Sequence, residues 1–398
     1  MPKFDDLSRS LVALDQDSTL IAAIELSCSS WLVVGIVPGI AREPIKKLAA
    51  DAAALLALLE RWRGEAAASG HPVTRICVAY EAGRDGFWLA RSLRARGIEC
   101  HVIHPTSVSV SREHRGPSAH GLDPWGAKTD RLDLGLLKRA FLRWLRGEKK
   151  HCSMVMVPTR AAEDGKRPLR ERDRLIGEAT RLVNRMKGLL ALHGIAKFNV
   201  RSNAAPQLLP QLCTAEGEPL PPNTLAELLR ACERLHHTQA QIATIEAAQR
   251  QRLKQAPEAG PHPMIGLLAK VKGVGIATAE LLVRAALSRH LRDRRAVARY
   301  AGVTGAPDES GSKRGEKGLA KAGNARVRRA LIQLAWRFLR HQPDRALAGW
   351  FRQRTQDGRR TTKKTMIVAL ARKLLIALWE LATTGTVPAG VRRHPAIQ

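Results

Sequence analysis

The N-terminal part of the chain alternates short apolar runs with stretches of helical periodicity. Leu and Ala recur at helical spacing over 51–63, and 87–96 has a similar pattern. Four apolar runs have the length of strands: 20–26, 30–37, 74–80 and 99–103. A Ser-Cys-Ser turn joins the first two runs and predicts a hairpin. Strands that alternate with helices predict an α/β fold in which helices cover a sheet.

After these strands the apolar periodicity becomes helical. Residues 128–146 carry one apolar stripe. Two long amphipathic segments follow, 168–194 and 224–254, on either side of a Pro-rich connector at 206–222. The apolar positions of the second segment make an imperfect heptad seam that Gln239 interrupts. The two segments are therefore predicted to form a coiled-coil hairpin or a dimer arm.

Changes in composition divide the chain into three predicted domains. Residues 1–150 hold the α/β pattern, and 151–260 hold the long helical segments. A break rich in Pro and Gly then leads into a mostly helical C-terminal domain, 261–398. The tail from about Thr384 is expected to be poorly structured.

The charge balance indicates a polyanionic partner. The chain carries 66 Lys and Arg against 36 Asp and Glu, a net charge of +30. The longest apolar run, 31–40, is shorter than the roughly 20 residues that span a bilayer. Residues 1–17 mix acids and bases without an apolar h-region, so we expect no secretion signal. The six cysteines form no Cys-x-x-Cys pair, which argues against zinc and disulfides. We expect a cytoplasmic, nucleoid-associated protein without a membrane partner.

Four carboxylates are the strongest chemical signal. Glu25 and Glu81 lie near the C-terminal ends of predicted strands, where α/β folds place ligands. Asp130 and Asp133 are three residues apart and share one helical face. The aspartates alone fit either helix capping or metal binding, but Glu81 at the end of a buried strand favours a cation. Two divalent ions about 4 Å apart would suit a metal-dependent nuclease or strand transferase.

A Gly-rich turn lies between two apolar helical segments of the C-terminal domain. Lys272, Gly273 and Gly275 form this turn, which is typical of a helix-hairpin-helix. Glycines allow close approach of the backbone to a phosphate. A plain turn between two core helices is the alternative, and the surrounding positive charge favours nucleic-acid binding.

A polar, Gly-rich segment at 308–317 precedes a basic stretch at 321–329. The pattern predicts a flexible loop followed by a basic helix. Its composition does not by itself make Ser310 a nucleophile, although nearby arginines could stabilise charge on a phosphate. The basic residues expected to bind nucleic acid here are Lys313, Arg314, Lys321, Arg326, Arg328 and Arg329.

Several ordered motifs resemble one family. They are Tyr-Glu-Ala-Gly-Arg-Asp-Gly-Phe-Trp-Leu at 80–89, His-Pro-Thr-Ser-Val at 104–108, Lys-Thr-Asp-Arg-Leu-Asp at 128–133, Val-Gly-Ile-Ala-Thr-Ala at 274–279, Ser-Gly at 310–311 and Gly-Asn-Ala-Arg at 323–326. From about residue 20 to 382 the chain is similar to the insertion sequence 110 family of DEDD transposases.

The resemblance implies a fold and a mechanism. The fold would be α/β plus α: a ribonuclease-H-like (RuvC-like) mixed sheet, a coiled-coil arm and a C-terminal transposase domain. Glu25, Glu81, Asp130 and Asp133 would hold Mg²⁺, two ions per site, and Ser310 would form a covalent link to DNA. A structured guide RNA would pair with donor and target DNA. The active site could be assembled between protomers of a homo-oligomer, a dimer or tetramer.

The chain departs from the family pattern in two places. The first carboxylate of the family is usually Asp, whereas this chain has Glu25, whose longer side chain would move the metal about one methylene further out. Residues 116–126 look like an insertion just before the aspartates.

The sequence therefore favours an RNA-guided DNA transposase or recombinase that cuts and rejoins strands through Ser310. One alternative is a nuclease of the Holliday-junction-resolvase type that uses water, with Ser310 as a loop residue. The other is a non-enzymatic RNA-binding protein whose acids form salt bridges.

Overall fold

The computed structural model describes residues 14–83, 86–108, 130–289, 291–310, 313–320 and 322–385. The chain divides into two compact units, Met1–Glu163 and Asp164–Gln398. The division into three domains stays a prediction. The insertion at 116–126, Lys321 and the tail beyond 385 lie outside the described residues.

The first unit is built on a five-stranded mixed sheet. Its strands are β1 Thr19–Leu26, β2 Ser30–Ile36, β3 Ile45–Ala49, β4 Arg75–Glu81 and β5 Glu99–Ile103. The spatial order is β3-β2-β1-β4-β5. The β1–β2 and β2–β3 pairs are antiparallel, and β4 and β5 continue the sheet parallel to β1. The predicted hairpin and mixed α/β fold are confirmed.

Helices cover both faces of this sheet. They are α1 Ala52–Ala68, α2 Trp88–Arg94 and α3 Asp130–Leu145, and a 3₁₀ turn spans Pro105–Ser107. Helix α1 begins where the Asp51 carboxylate accepts a hydrogen bond from Ala54 N at 3.0 Å. Because strand side chains alternate, one face packs Leu20 and Ile24 against α1 and α2, and the other packs Ile21 and Ala23 against α3. A short helix α4, Arg160–Asp164, ends at the boundary between the units.

Two long helices dominate the start of the second unit. Helix α5 spans Arg167–Leu192 and α7 spans Pro222–Gln255. Between them lie α6 Ala205–Leu208 and a 3₁₀ turn at Leu209–Gln211. The long helices pack along one core that includes Met186, Leu190, Leu228, Cys232 and Leu235, all buried. The predicted seam therefore closes an intramolecular hairpin.

The rest of the second unit is a helical bundle with one hairpin. Its helices are α8 His262–Ala269, α9 Ile276–Leu282, α10 Arg294–Ala301, α11 Ala325–His341, α12 Ala346–Arg354 and α13 Arg360–Thr384, with a π-helical turn at Val283–Leu287. One apolar core unites them, centred on residues such as Leu331, Leu334 and Leu370. No helix among the described residues has the length and apolar character needed to cross a bilayer.

The segment expected to be a flexible loop is a β-hairpin. Strand β6 spans Gly305–Ser310 and β7 spans Lys313–Leu319, in antiparallel register. The loop prediction was wrong because backbone pairing, rather than apolar alternation, forms these strands. The basic helix that was expected to follow is α11.

Candidate functional site

Glu25 and Glu81 sit at the same end of neighbouring parallel strands. Ile24 of β1 pairs with Tyr80 of β4, and the next residue on each strand is the glutamate. By strand alternation both acids belong to the face of Ala23 and Ala79, which is the face that α3 covers. Both glutamates are half-buried. The predicted placement at the C-terminal strand ends is confirmed.

Helix α3 brings the aspartates to this face. Leu134, Leu137 and Phe141 are buried against the sheet and fix the helix. Asp130 is its first residue, and Asp133 follows one turn later. Residues 109–129, which lead into α3, are outside the described part of the chain.

One cavity joins a strand end to the start of α3. It has a volume of about 380 Å³ and is lined by Glu25, Ser27, Ser30, Leu32, Ile45, Lys47, Asp130 and Arg131. Ser27 lies in the β1–β2 turn, where its hydroxyl donates to Ser30 O at 2.5 Å. The structure thus brings two of the four predicted carboxylates to one cavity.

Glu81 and Asp133 do not line this cavity. Among the described residues no three His, Cys, Asp or Glu side chains are close enough together to hold a metal ion. The four acids nevertheless lie on the α3 side of the sheet and offer only oxygen donors, the ligands that Mg²⁺ prefers. The donor chemistry fits the expected ion, and its binding stays a prediction.

A second acidic group lies at the opposite end of the sheet. Glu99, at the start of β5, accepts hydrogen bonds from Arg75 Nε at 2.8 Å and Arg75 Nη2 at 2.6 Å, and lies 2.8 Å from His101 Nε2. Burial raises the pKa of Glu99, but hydrogen bonds and positive charge from His101 and Arg75 outweigh it and lower the pKa to about 2. Glu99 is therefore held by Arg75 and His101 in an ion-pair cluster that stabilises the sheet edge.

The buried thiols are not poised for nucleophilic chemistry. Burial raises the pKa of the Cys100 thiol to about 12 and that of Cys152 to about 11. Burial also raises the pKa of Cys77 and Cys232. A thiol with a raised pKa holds little thiolate at neutral pH, and all four of these cysteines are buried, so they are core residues.

Ser310 is the last residue of β6. It pairs with Lys313 across the tip of the hairpin, and Glu309 pairs with Arg314. The base of the hairpin is closed by Ala320 N, which donates to Thr304 O at 3.0 Å. In the backbone register, Ser310 thus lies opposite Lys313, one position along from the Glu309–Arg314 pair.

Two glycines hold the ends of the hairpin segment together. Gly302 ends α10 with φ +68°, and a Cβ there would lie 2.3 Å from Ala322 O. Gly323, with φ +83°, comes as close to the backbone of α10: a Cβ would lie 2.6 Å from Arg299 O. Only glycine combines a positive φ with such close backbone contact. Because Gly302 and Gly323 meet here, the segment that carries the hairpin begins and ends at the same place, between α10 and α11.

The predicted turn between two helices is present. It follows α8 and ends at Gly275, where α9 begins. Gly273 has φ +93°, the left-handed conformation, and Gln342 Nε2 donates to Lys272 O at 2.6 Å. Gly275 has φ −76° and is exposed, with no atom within 4 Å of a Cβ built on it. Its use in binding phosphate stays a prediction.

The basic start of α11 is split between two environments. Asn324 caps the helix by accepting from Arg326 N at 3.1 Å and Val327 N at 3.2 Å. Arg326 Nε donates to Asp173 Oδ2 at 2.7 Å, and Arg326 and Arg329 line a cavity. Arg328 turns away and donates to Ala322 O at 3.2 Å. The three arginines, which the sequence predicts as one group of nucleic-acid ligands, therefore lie in different surroundings.

The same cavity contains arginines that sequence reasoning missed. Arg172 and Arg250 come from the two long helices, and Arg337 comes from two turns further along α11. In the sequence they were three among many basic residues on amphipathic helices, and no local motif distinguished them.

A strongly basic chain with acids at the strand ends of a mixed sheet, and with a basic helical unit, defines a protein that works on nucleic acid. Comparison with known proteins narrows this class. Residues 266–349 match the family described as "Transposase IS116/IS110/IS902 family". This segment contains the Gly turn, the β6–β7 hairpin and all of α11.

Two relatives extend the match along the chain. The first is "Putative transposase y4rJ" of Sinorhizobium fredii, 40% identical over 93% of this chain and 93% of its own length. The second is "Probable family 20 transposase" of Pseudomonas aeruginosa, 28% identical over 78% of this chain and 84% of its own length. The chain belongs to the IS116/IS110/IS902 family of transposases, and the resemblance drawn from its motifs is confirmed.

Proposed function

We propose that this transposase cuts and rejoins DNA with Mg²⁺ held by Glu25, Glu81, Asp130 and Asp133, and with Ser310 as the nucleophile. The observation that carries the proposal is the shared cavity of Glu25 and Asp130. Glu81 stands next to Glu25 on the neighbouring strand, and Asp133 is one turn from Asp130. A sheet face with acids at the strand ends suits the RuvC-like domain that the family resemblance implies.

The carboxylates supply charge and position. When bound, Mg²⁺ would polarise the scissile phosphate and neutralise charge that builds up on its oxygens. The strand ends and the first turn of α3 are fixed by buried side chains such as Leu134 and Phe141. The acids are therefore held on rigid elements, which lowers the entropy cost of binding an ion.

Ser310 conserves the energy of the cut bond. Its Oγ would form a bond to phosphorus while the bond from phosphorus to the leaving sugar oxygen breaks. The serine gives up its proton and the leaving sugar hydroxyl gains one, so the step is balanced without water. Attack by another strand's hydroxyl reverses the step and joins that strand, without ATP.

Basic residues next to Ser310 favour its approach to DNA. Lys313 pairs with Ser310 across the hairpin tip, and Arg314 follows on β7. Positive charge at this position attracts a phosphodiester and stabilises charge on a pentacoordinate phosphorus.

A structured RNA would choose the DNA sites. The net charge of +30 suits a protein that binds RNA and DNA together through their backbones. In such an arrangement base pairing reads the sequence and the protein reads the backbone. The protein would act as a homo-oligomer, a dimer or tetramer.

The test is a search for the covalent intermediate. Labelled element-end DNA is incubated with the protein, its RNA and Mg²⁺, then denatured in detergent and resolved on a gel. Wild-type protein and Ser312→Ala should retain label, whereas Ser310→Ala should lose both the adduct and strand exchange while still binding DNA. Cleavage by Ser310→Ala at the wild-type rate, with no adduct in either protein, would assign the reaction to water and to a resolvase-like nuclease.

A further inference from the structure

Four helices of the second unit enclose a cavity of about 480 Å³. Residues of α5, α7, α9 and α11 line it, together with Gly275 of the Gly turn. Five arginines contribute to its wall: Arg172, Arg250, Arg326, Arg329 and Arg337. We call this cavity the arginine pocket. Because its arginines come from three helices far apart in sequence, the fold and not a local motif assembles it.

Positive charge exceeds negative charge in the arginine pocket. Its lining includes two carboxylates, those of Asp173 and Glu246. Arg172 Nη2 lies 2.7 Å from Glu246, and Arg326 Nε lies 2.7 Å from Asp173. The nearby buried Glu280 is not part of the lining and pairs with Arg284 at 2.6 Å. Five guanidinium groups thus face two carboxylates.

The pocket is also short of hydrogen-bond acceptors. Arg337 Nη2 donates to Thr278 Oγ1 at 2.8 Å. Within the described part of the chain, no atom accepts a hydrogen bond from the buried Arg337 Nε or from Arg326 Nη2. Buried donors without acceptors are rare in folded proteins and call for an explanation.

The pKa of Arg337 also indicates that the pocket is short of negative charge around this arginine. Burial, and then the charge of Arg172, lowers the pKa of Arg337. Burial and the nearby charge of Arg172 both disfavour a charged guanidinium at this position. The folded structure therefore keeps these arginines close together although their charges repel. An anion in the pocket would relieve that repulsion and supply the missing acceptors.

We propose that the arginine pocket binds a backbone phosphate of a nucleic-acid strand, an inference that rests on the proposed nucleic-acid function. A phosphodiester offers two anionic oxygens that match the forked donors of arginine. Arg250 and Arg329 are exposed, whereas Arg172, Arg326 and Arg337 are half-buried. The exposed pair meets the strand first, and the half-buried arginines complete the pocket behind it.

The pocket assigns new roles to several residues. Arg172, Arg250 and Arg337 join Arg326 and Arg329 as phosphate ligands, and Arg328, tied to Ala322 O, is not one of them. The exposed Gly275 borders the same space, so a strand in the pocket also runs past the Gly turn. The turn and the basic helix α11 therefore serve one binding site.

The test compares two double variants of the full chain. Arg250→Gln with Arg329→Gln removes the exposed arginines of the pocket. Arg252→Gln with Arg340→Gln removes two exposed arginines from the same two helices, α7 and α11. Neither Arg252 nor Arg340 lines the pocket. Both variants lose the same charge, so only position differs. Thermal melting verifies that each variant is folded as the wild type is.

Binding is measured by fluorescence anisotropy with two probes, a short labelled duplex DNA and a single-stranded RNA. Salt is varied, and the slope of log affinity against log salt is read for each protein. The pocket variant should lose about one unit of slope and on the order of tenfold in affinity, and the control variant should lose much less. Loss on DNA alone, on RNA alone or on both identifies which strand supplies the phosphate.

Two results would overturn parts of the proposal separately. If the pocket and control variants lose affinity equally on both probes, the arginine pocket does not bind a phosphate, and affinity depends only on the total charge of the protein. If the wild type itself binds neither probe in a salt-dependent way, the nucleic-acid function fails as well. Arg250→Lys with Arg329→Lys should restore most of the slope but only part of the affinity, because the charge returns without the forked donors.

Discussion

Glu25 and Asp130 line one cavity, the first at the end of β1 and the second at the start of α3. Two carboxylates in one cavity repel each other unless positive charge balances them. Lys47 and Arg131 border the same cavity and supply part of that balance. A divalent ion between the acids would supply more, and it would also bring a phosphate to them.

Asp130→Asn should abolish DNA cleavage and leave DNA affinity within about twofold of wild type. The change removes one negative charge from the cavity, and with it the proposed Mg²⁺ ligand, but none of the Lys and Arg side chains that supply affinity. Cleavage is followed on labelled DNA over a Mg²⁺ titration, and affinity by filter binding. Glu60→Gln is the matched control, because Glu60 is exposed on α1 and pairs with Arg63 away from the cavity. Full cleavage by Asp130→Asn would remove the metal assignment.

Glu25→Asp should keep more activity than Glu25→Ala. The aspartate retains a carboxylate and shortens it to the residue usual in the family, whereas alanine removes the ligand. The Mg²⁺ concentration needed for half-maximal cleavage should be similar for wild type and Glu25→Asp, and higher for Glu25→Ala. Equal activity of the two variants would show that Glu25 is not a ligand.

Gly275→Val should weaken nucleic-acid binding without lowering the melting temperature. No atom lies within 4 Å of a Cβ at this position, and φ is −76°, so the fold accepts a side chain. The new side chain would instead block a phosphate that approaches the backbone.

Gly273→Val is the contrasting variant. Gly273 has φ +93°, which a β-branched residue adopts only with strain of roughly 1–2 kcal/mol or more. We expect Gly273→Val to lower the melting temperature. Weaker binding by this variant could then come either from the strained fold or from blocked access to the backbone, so it is less informative than Gly275→Val. If Gly275→Val binds as tightly as wild type, the turn is a plain connection between core helices.

The stability that Glu99 contributes should disappear in acid. Its pKa is lowered from 4.5 to about 2 in the folded protein, so its contribution is present above about pH 4.5 and is lost as the pH falls towards 2. At neutral pH the contribution is at most on the order of 3 kcal/mol. Urea midpoints of wild type and Glu99→Gln, read by tryptophan fluorescence, should differ at pH 7, and the difference should shrink below about pH 4.5 and vanish only as the pH approaches 2. A constant difference across this range would contradict the ionic account.

Apolar periodicity located the buried elements well. The strand predicted at 99–103 is β5, Glu99–Ile103, and the long segment at 168–194 is α5, Arg167–Leu192. These elements could be predicted because each packs one apolar face against a core, and that face leaves a periodic pattern in the sequence. The same signal placed Glu25 and Glu81 at strand ends and the two aspartates at the start of α3.

Elements without an apolar face escaped prediction. Strand β3, Ile45–Ala49, is an edge strand with mostly exposed side chains, and β6 and β7 carry Gly, Pro and charged residues. Backbone hydrogen bonds to a partner define such strands, and no single-chain pattern reports them. The arginine pocket escaped for a related reason. Arg172 and Arg337 meet only because α5 and α11 pack around it.

The contact between Gly302 and Gly323 leaves the hairpin that carries Ser310 free to differ in length. Both ends of the segment that carries Ser310 are anchored at one point, so residues added in matched pairs to β6 and β7 exert no pull on α10 or α11. Each added pair would carry the tip outward by about 3.4 Å. The length of this hairpin can therefore change without any change in the helical core.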